Sequence, residues 1–394
     1  MAGPSEARPP LRVPTVLVVA GEASGDLRGA ELVRELRALV PDVRVTGVGG
    51  ERLRAEGQDA IVDAEEISTM GLTEVFSSLG RILGAFRRVR EAIEGGGDGV
   101  RPDLLILIDL PDFNLRLAPV AKRAGVPVLY YVSPQVWAWR RWRVRQLARN
   151  VDRLAVVFPF EREIYRGLTR VEFVGHPALE TVRATRTPQE TRARLGLTGA
   201  RPLVALLPGS RTAEVRSLLP EMLRSIDVLR ADVEVDAVLA LAHEGLRPLA
   251  SPLVGSMPVV SGETWDIVAA ADLVLCASGS ATLETALLER PMVVMYRLAP
   301  VTYAVARLLV RVPFIGMPNL ILGKRAVPEL VQHEVTAGRI AAEARAILLD
   351  PLRAAAIRAD LARVRASLGQ GGAARRAAAI AAEMLGGESG SRHV

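Results

Sequence analysis

Cysteine is nearly absent from this chain of 394 residues. Cys276 stands alone, which excludes a disulfide framework and a Cys-rich zinc site. Histidine is almost as scarce. His176, His243, His333 and His393 are scattered and lack metal-ligand spacing, so no metal is expected. Aromatic residues are only 4% of the chain, which argues against base stacking along a nucleic acid as its main task. Long apolar runs are missing too. The most apolar stretch, Tyr303 to Leu322, is broken by Arg307, Arg311, Pro313 and Pro318, so no transmembrane helix is expected. Residues 1–12 carry no apolar core and read as a disordered lead-in, not a signal peptide. A reducing, cytoplasmic setting fits these features.

Lysine occurs only at Lys122 and Lys324, so the formal net charge of +6 is carried by arginine. That excess favours anionic partners such as phosphates, nucleotides or acidic lipid. Hydrophobic residues at 49% and charged residues at 24% exclude large-scale disorder, and the length predicts two or three domains.

Short apolar runs alternate with helical periods. The first series is Val16 to Ala20, Val43 to Val48, Leu104 to Ile108, Val128 to Val132 and Leu154 to Phe158. A break follows Phe173-Val174-Gly175-His176-Pro177, and Pro188 opens a short helix. The second series is Leu203 to Leu207, Val235 to Ala242, Met257 to Val260, Leu273 to Cys276 and Met292 to Tyr296. Continuous apolar strands separated by helices predict parallel sheets covered on both faces. The expected fold is α/β, with two doubly wound, Rossmann-like domains facing a cleft. Their expected spans are 13–180 and 190–345, with a helical tail over 346–394 that packs on the first domain or on a partner chain.

Such sheets bind ligands beyond the carboxyl ends of their strands, so residues just after each strand are read for chemistry. Two phosphate-type loops stand out in the second half. In Leu207-Pro208-Gly209-Ser210-Arg211, Gly209 permits close backbone approach, Ser210 donates a hydrogen bond and Arg211 can fork onto a phosphate. Ser278-Gly279-Ser280-Ala281-Thr282-Leu283-Glu284 opens a helix whose free amides and dipole suit an anion, with Glu284 one turn on for ribose hydroxyls. Plain helix capping is the alternative for either loop. No Walker sequence is present. The first half offers acids at strand ends: Glu22, Asp26, Asp109 and Asp112. A carboxylate just past a buried strand is partly desolvated, which raises its pKa toward that of a general base. Glu22, Ser24, Gly25 and Asp26 form a turn that either binds substrate or caps the next helix. Asp112 likewise either acts or caps. His176 reads as structural, and His243 ends a strand where it can touch a nucleotide.

Met70, Leu72, Val75, Phe76, Leu79, Ile82, Leu83 and Phe86 form a helical stripe accompanied by Arg81, Arg87, Arg88 and Arg90. Periodicity alone favours a face turned to the core, and the alternative is an apolar face laid on a bilayer. A cluster of Trp137, Trp139, Arg140, Arg141, Trp142, Arg143 and Arg145 leaves an interfacial patch and an ordinary helix start both open.

Taken together, these segments resemble the lipid-A-disaccharide synthase family of GT-B glycosyltransferases. The matching motifs are AGEASGD (Ala20 to Asp26), the Gly49 to Gly57 segment, MG-x-x-EV (Met70 to Val75), IDLPDFN (Ile108 to Asn114) and YVSPQVWAWR (Tyr131 to Arg140). They continue through FPFE, FVGHP, LPGSR, SGSATLE, PMVVMYR and PNLILG (Pro318 to Gly323). The likeness runs from about Val13 to Arg345, with variation at Ser280 and Thr282 and a loosely matched tail. It implies transfer of the sugar of UDP-2,3-diacylglucosamine to the 6-hydroxyl of 2,3-diacylglucosamine 1-phosphate, with inversion. It implies Asp109 as the base, Glu22 and Ser24 in the active-site turn, and Arg211, Glu284 and Asn319 on the UDP side. No cofactor is implied. An acyl or membrane role for the stripe, peripheral contact with an anionic membrane and a homodimer with exchanged C-terminal parts complete the implications, and no nucleic-acid partner is expected. Competing readings are a UDP-N-acetylglucosamine 2-epimerase, a wall-synthesis transferase, and a non-catalytic nucleotide-sugar sensor.

Overall fold

A computed structural model describes residues 13–67, 75–96, 100–134, 142–197, 199–299, 302–303 and 312–386. The chain divides into two compact units, residues 1–177 with 372–394, and residues 178–371. The expected lead-in, Met70, Leu72 and Trp137 to Arg141 lie outside the described residues, as do the side chains of Val75, Phe76, Leu79 and Trp142.

The first unit is built on a seven-stranded parallel sheet. Its strands are β1 (Thr15–Ala20), β2 (Arg44–Gly49), β3 (Asp59–Asp63), β4 (Leu104–Ile108), β5 (Val128–Tyr131), β6 (Arg153–Val156) and β7 (Arg170–Phe173), in the order β3-β2-β1-β4-β5-β6-β7. Strands β4 and β5 are buried at every residue, as continuous apolar runs between two helical layers must be. At Gly47 the φ is +131°, and a Cβ there would stand 2.1 Å from the Val18 carbonyl oxygen; the register of β2 on β3 shifts at this point. Only glycine fits such a close approach.

The second unit repeats the plan with six parallel strands. These are β8 (Leu203–Leu207), β9 (Asp236–Leu241), β10 (Val259–Ser261), β11 (Leu273–Ala277), β12 (Met292–Tyr296) and β13 (Glu329–Val331), in the order β10-β9-β8-β11-β12-β13. Both units are thus doubly wound, as expected. Strands β3, β7 and β13 are missing from the sequence reading. All three are edge strands, and β3 and β7 are mostly half-buried and carry charged residues, so none shows a long apolar run.

The expected helical tail is present, and its two helices pack on different units. Helix Pro351–Ser367 packs on Ser280–Leu287 and Met317–Leu322 in the second unit. Helix Ala373–Gly386 returns to the first unit and lies along Ala23–Leu39. Its buried face is nearly all alanine (Ala373, Ala374, Ala377, Ala378, Ala381), which lets the two helices approach closely. Arg376 Nε donates to the Val174 carbonyl at 2.8 Å, and Arg153 pairs with Glu383 at 2.7 Å. Among the described residues, no helix is long and apolar enough to cross a membrane.

Asp26 caps a helix, but not the one that follows its own turn. It is 6% exposed, and its carboxylate accepts from the backbone amides of Gly50, Arg52 and Leu53 at 2.7, 3.0 and 3.2 Å. It therefore ties Ala23–Leu39 to the start of Glu51–Ala55, with both carboxylate oxygens engaged. Asp26→Ala would strand three donors at a helix N-terminus. It is expected to lower stability by about 2 kcal/mol, read as a melting temperature lower by roughly 4–8 °C for a unit of this size.

Candidate functional site

In an open parallel sheet the loops diverge where the strand order reverses, and a crevice opens there. In the first unit that point lies between β1 and β4. The register pairs Ala20 with Ile108, so Gly21-Glu22 and Asp109 emerge side by side. Glu22 is exposed and precedes helix Ala23–Leu39 without a side-chain cap; Ser24 is exposed and Gly25 buried in the first turn.

Asp109 sits in an unusual turn. It has φ +48° and Leu110 has φ +45°, two consecutive non-glycine residues in the left-handed region. Such conformations are costly and persist only where neighbours hold them. Here Asn114 Nδ2 donates to the Asp109 carbonyl at 2.8 Å and to that of Ile108 at 3.2 Å. The hydroxyl of fully buried Tyr130 donates to the same Asp109 carbonyl. Pro111 then starts helix Pro111–Ala124 at once. The backbone is thereby fixed, while the half-buried Asp109 side chain has its carboxyl pKa raised, first by burial and then by the Glu22 charge. Val132, at φ +61° just past β5, adds a second strained position on this edge.

Asp112 stands apart from that turn. Its carboxylate is 67% exposed and pairs with Arg143 at 2.8 Å, which commits it to a cation and weakens its claim as a base. His176 packs against Phe158, with ring centroids 5.0 Å apart, and burial pushes its pKa down to about 4. It stays neutral near pH 7.

The second unit reverses strand order between β8 and β11, the two strands that precede the phosphate-type loops. Leu207 pairs with Cys276, so Gly209 and Ser278 leave the sheet next to each other. A cavity of about 730 Å³ opens there, lined by Gly209, Ser210, Arg211, Ser278, Gly279, Ser280 and Glu284 among others. The two loops differ in what they offer. Glu214 folds back so that its Oε2 accepts from the amides of Ser210 and Arg211 at 3.0 and 3.1 Å. At Gly209, with φ +107°, a Cβ would lie 2.3 Å from the same oxygen. The backbone of this loop is therefore already taken by an internal carboxylate. What it presents outward is the Arg211 side chain, 82% exposed and only 3.4 Å from Glu214 Oε1. The other loop keeps its helix start open, because helix Ser280–Leu287 has Gly279 at its N-cap and no side-chain cap. The first-turn amides have no side-chain acceptor there, and with the positive dipole end they form an arrangement suited to an anion.

Two expected donor contacts are not on the cavity wall. Thr282 is fully buried, donates to the Gly279 carbonyl at 2.7 Å and accepts from the Met317 amide at 3.3 Å. Asn319 is also fully buried. Its Nδ2 donates to Val327 O and Glu329 Oε1, and its Oδ1 accepts from the Ala326 and Val327 amides. An amide with all four bonds met inside the fold has none left for a ligand. Both residues hold the Met317–Leu322 segment against the loop and act on the cavity at one remove.

Residues the sequence reading passed over also line the cavity. Trp265 Nε1 donates to Glu284 Oε2 at 2.8 Å. Arg186 is locked to Glu263 and Asp266, each at 2.9 Å. Trp265 carried no local signal because its meaning depends on a partner nineteen residues away. His243 reaches the Ser210 carbonyl with Nε2 at 3.2 Å, beside the loop. Among the described residues, no three His, Cys, Asp or Glu side chains cluster to hold a metal ion.

The family model described as lipid-A-disaccharide synthetase matches residues 16–384. A lipid-A-disaccharide synthase of Geobacter sulfurreducens is 45% identical over 377 residues, covering 94% of this chain and 97% of that protein. One of Myxococcus xanthus is 45% identical over 378 residues, covering 94% and 98%. Among solved structures, a putative UDP-N-acetylglucosamine 2-epimerase of Listeria monocytogenes superposes with a TM-score of 0.62 at 14% identity, covering 97% of this chain and 98% of that one. A UDP-GlcNAc 2-epimerase of Neisseria meningitidis bound to UDP-GlcNAc does so with a TM-score of 0.62 at 13% identity, covering 95% and 100%. At that identity the solved structures share the fold alone.

The Asp109 carboxyl is expected to titrate above the ordinary aspartate value, because its protonated form is favoured by burial and by the neighbouring charge. Glu22→Gln removes one of those causes and leaves the other. The Asp109 pKa should therefore fall part of the way back, measured by carbon-detected NMR titration. No shift on substitution would mean that the two carboxylates do not sense each other.

Proposed function

The chain belongs to the lipid-A-disaccharide synthase family of glycosyltransferases, and from that membership we propose a division of labour between its two units. The second unit binds a UDP-linked acylated glucosamine. Its diphosphate meets the amides at the start of Ser280–Leu287 and the Arg211 guanidinium, and its ribose meets Glu284. The first unit binds an acylated glucosamine 1-phosphate. As the acceptor 6-hydroxyl oxygen attacks the anomeric carbon, its proton passes to the Asp109 carboxylate. The bond from that carbon to the diphosphate oxygen breaks, UDP leaves, and a β-1,6 disaccharide 1-phosphate forms with inversion. The leaving diphosphate gains charge in this step, and the helix dipole and Arg211 stabilise it there.

One observation supports this reading above the rest. In each unit, the residues with the required chemistry leave the sheet at the point where strand order reverses. A raised pKa at Asp109 suits a group that must accept a proton from a hydroxyl, since a very weak base would not. Glu22 supplies part of that shift, and we place Ser24 and Gly25 at the acceptor. Asp112 is a lesser candidate because of Arg143.

We assign the stripe to acyl chains and the bilayer surface. Helix Val75–Glu94 turns Ala85, Val89 and Ile93 inward, all fully buried, while Phe86 meets Phe113 edge-on at 5.7 Å. Leu83 is 46% exposed on the outside and Ile82 is half-buried, with Arg81, Arg87 and Arg90 exposed around them. An exposed leucine among arginines suits a surface of apolar chains below anionic headgroups. We expect peripheral attachment to a membrane and admit a homodimer.

Two experiments test the scheme. The first supplies synthetic acylated donor and acceptor and weighs the product by mass spectrometry. Asp109→Asn should leave UDP binding within about twofold and lower turnover by about 100-fold or more. If Asp112→Asn produces that loss instead, the base is misassigned. Conversion of UDP-N-acetylglucosamine alone to its manno epimer would favour the epimerase chemistry named for the structural neighbours. The second is liposome flotation. Replacing Ile82 and Leu83 together by serine should reduce binding to anionic vesicles severalfold with an unchanged melting temperature. A fall in melting temperature with unchanged vesicle binding would instead return the stripe to the core.

A further inference from the structure

The donor reading leaves the nucleobase without a partner, and the cavity holds one aromatic side chain among its described lining residues, Trp265. We propose that Trp265 is the nucleoside-recognition residue of this site: its indole provides the face against which the pyrimidine base lies, and its N–H fixes Glu284 for the ribose. The proposal rests on the donor reading above and deepens it.

Geometry carries the argument. The anion-binding end of the cavity is the start of helix Ser280–Leu287. Glu284 lies four residues along that helix, on the same face and about 6 Å further down its axis. A nucleoside diphosphate anchored by its phosphates at Ser280 thus extends along the helix, with the ribose reaching Glu284 and the base beyond it. Trp265, near the start of helix Thr264–Ala270, lines the same cavity and touches Glu284 through Nε1 at 2.8 Å. The bond uses Oε2. Among the described residues Oε1 has no hydrogen-bond partner, so it remains for a hydroxyl pair. An isolated carboxylate on a helix surface rotates among rotamers, whereas one bonded to an indole N–H keeps a single orientation.

The element carrying Trp265 is itself anchored. The next residue, Asp266, is buried and accepts from the Thr185 hydroxyl at 2.8 Å, the Arg186 amide at 2.9 Å and the Arg186 guanidinium at 2.9 Å. Trp265 is only half-buried, although tryptophan is large and apolar and this chain has four in all. A tryptophan held on a rigid turn, half open to a cavity and bonded to the ribose candidate, fits a base-stacking platform.

The test is titration calorimetry of the full chain with UDP and, separately, with pyrophosphate. Trp265→Ala should weaken UDP binding by about 10- to 100-fold, the range expected for loss of one base stack with its hydrogen bond. Pyrophosphate binding should stay within about twofold. Trp265→Phe keeps a ring and loses the N–H, so it should recover most of the UDP affinity, with the residual deficit shared by Glu284→Gln. UDP should also quench tryptophan fluorescence in the wild type and not in Trp265→Phe. A melting curve for each variant separates these effects from unfolding. If the wild type binds UDP and both Trp265 variants bind it equally well, the proposal fails and the donor reading stands. If UDP and pyrophosphate weaken together, Trp265 supports the fold alone and the proposal fails. If the wild type binds no UDP, both readings fall.

Discussion

Parallel pairing at one place in each sheet governs the rest of this molecule. Beside β1 the chain continues on one side to β2 and on the other to β4, and beside β8 it continues to β9 and to β11. In such sheets right-handed crossovers carry the following helices to opposite faces, so the loops after the paired strands separate and leave a crevice. Register fixes which side chains meet there. Ala20 beside Ile108 delivers Glu22 and Asp109, and Leu207 beside Cys276 delivers Gly209 and Ser278. A slip of one residue in either pair would turn those side chains to other faces.

The two crevices are finished in opposite ways. The first one concentrates negative charge in a partly desolvated place, and strain holds it there. The left-handed pair Asp109 and Leu110 is secured from below by Tyr130 and Asn114, both buried, and from ahead by Pro111. The second crevice offers groups that attract an anion, without a metal-like cluster among the described residues. It does so with a helix start left uncapped and an arginine left exposed. Glu214 completes the contrast. By satisfying the amides of Ser210 and Arg211 itself, it makes the Gly209 turn a rigid mount for the Arg211 side chain.

Buried polar residues near the sites act through position and not through contact. Asn319 bridges Val327 and Glu329, Glu329 in turn accepts from the Ile315 and Gly316 amides, and Thr282 accepts from Met317. Each bond is satisfied inside the fold, so losing one would leave a desolvated partner and loosen the segment behind the Ser278 loop. Asp26 has the same role in the first unit.

The sequence by itself determined the class of fold, the family, and most of the residues that flank the two crevices. Those features are local. A buried central strand is a continuous apolar run, and the residue after it is the one at the sheet edge, so Asp109, Gly209 and Ser278 were legible without coordinates. Edge strands β3, β7 and β13 were not, because short or half-exposed strands have no such pattern. Only the tertiary structure decided which polar side chains face a cavity and which are consumed by the fold. Asp26, Thr282 and Asn319 are candidate ligand contacts in sequence, yet their hydrogen bonds close inside their own unit. Trp265 carries no signal in the sequence and meets Glu284 at the cavity. The physical reason is common to all four. A polar atom's role is set by whichever partner is within about 3 Å of it, and that partner lies elsewhere in the chain, where no local pattern records it.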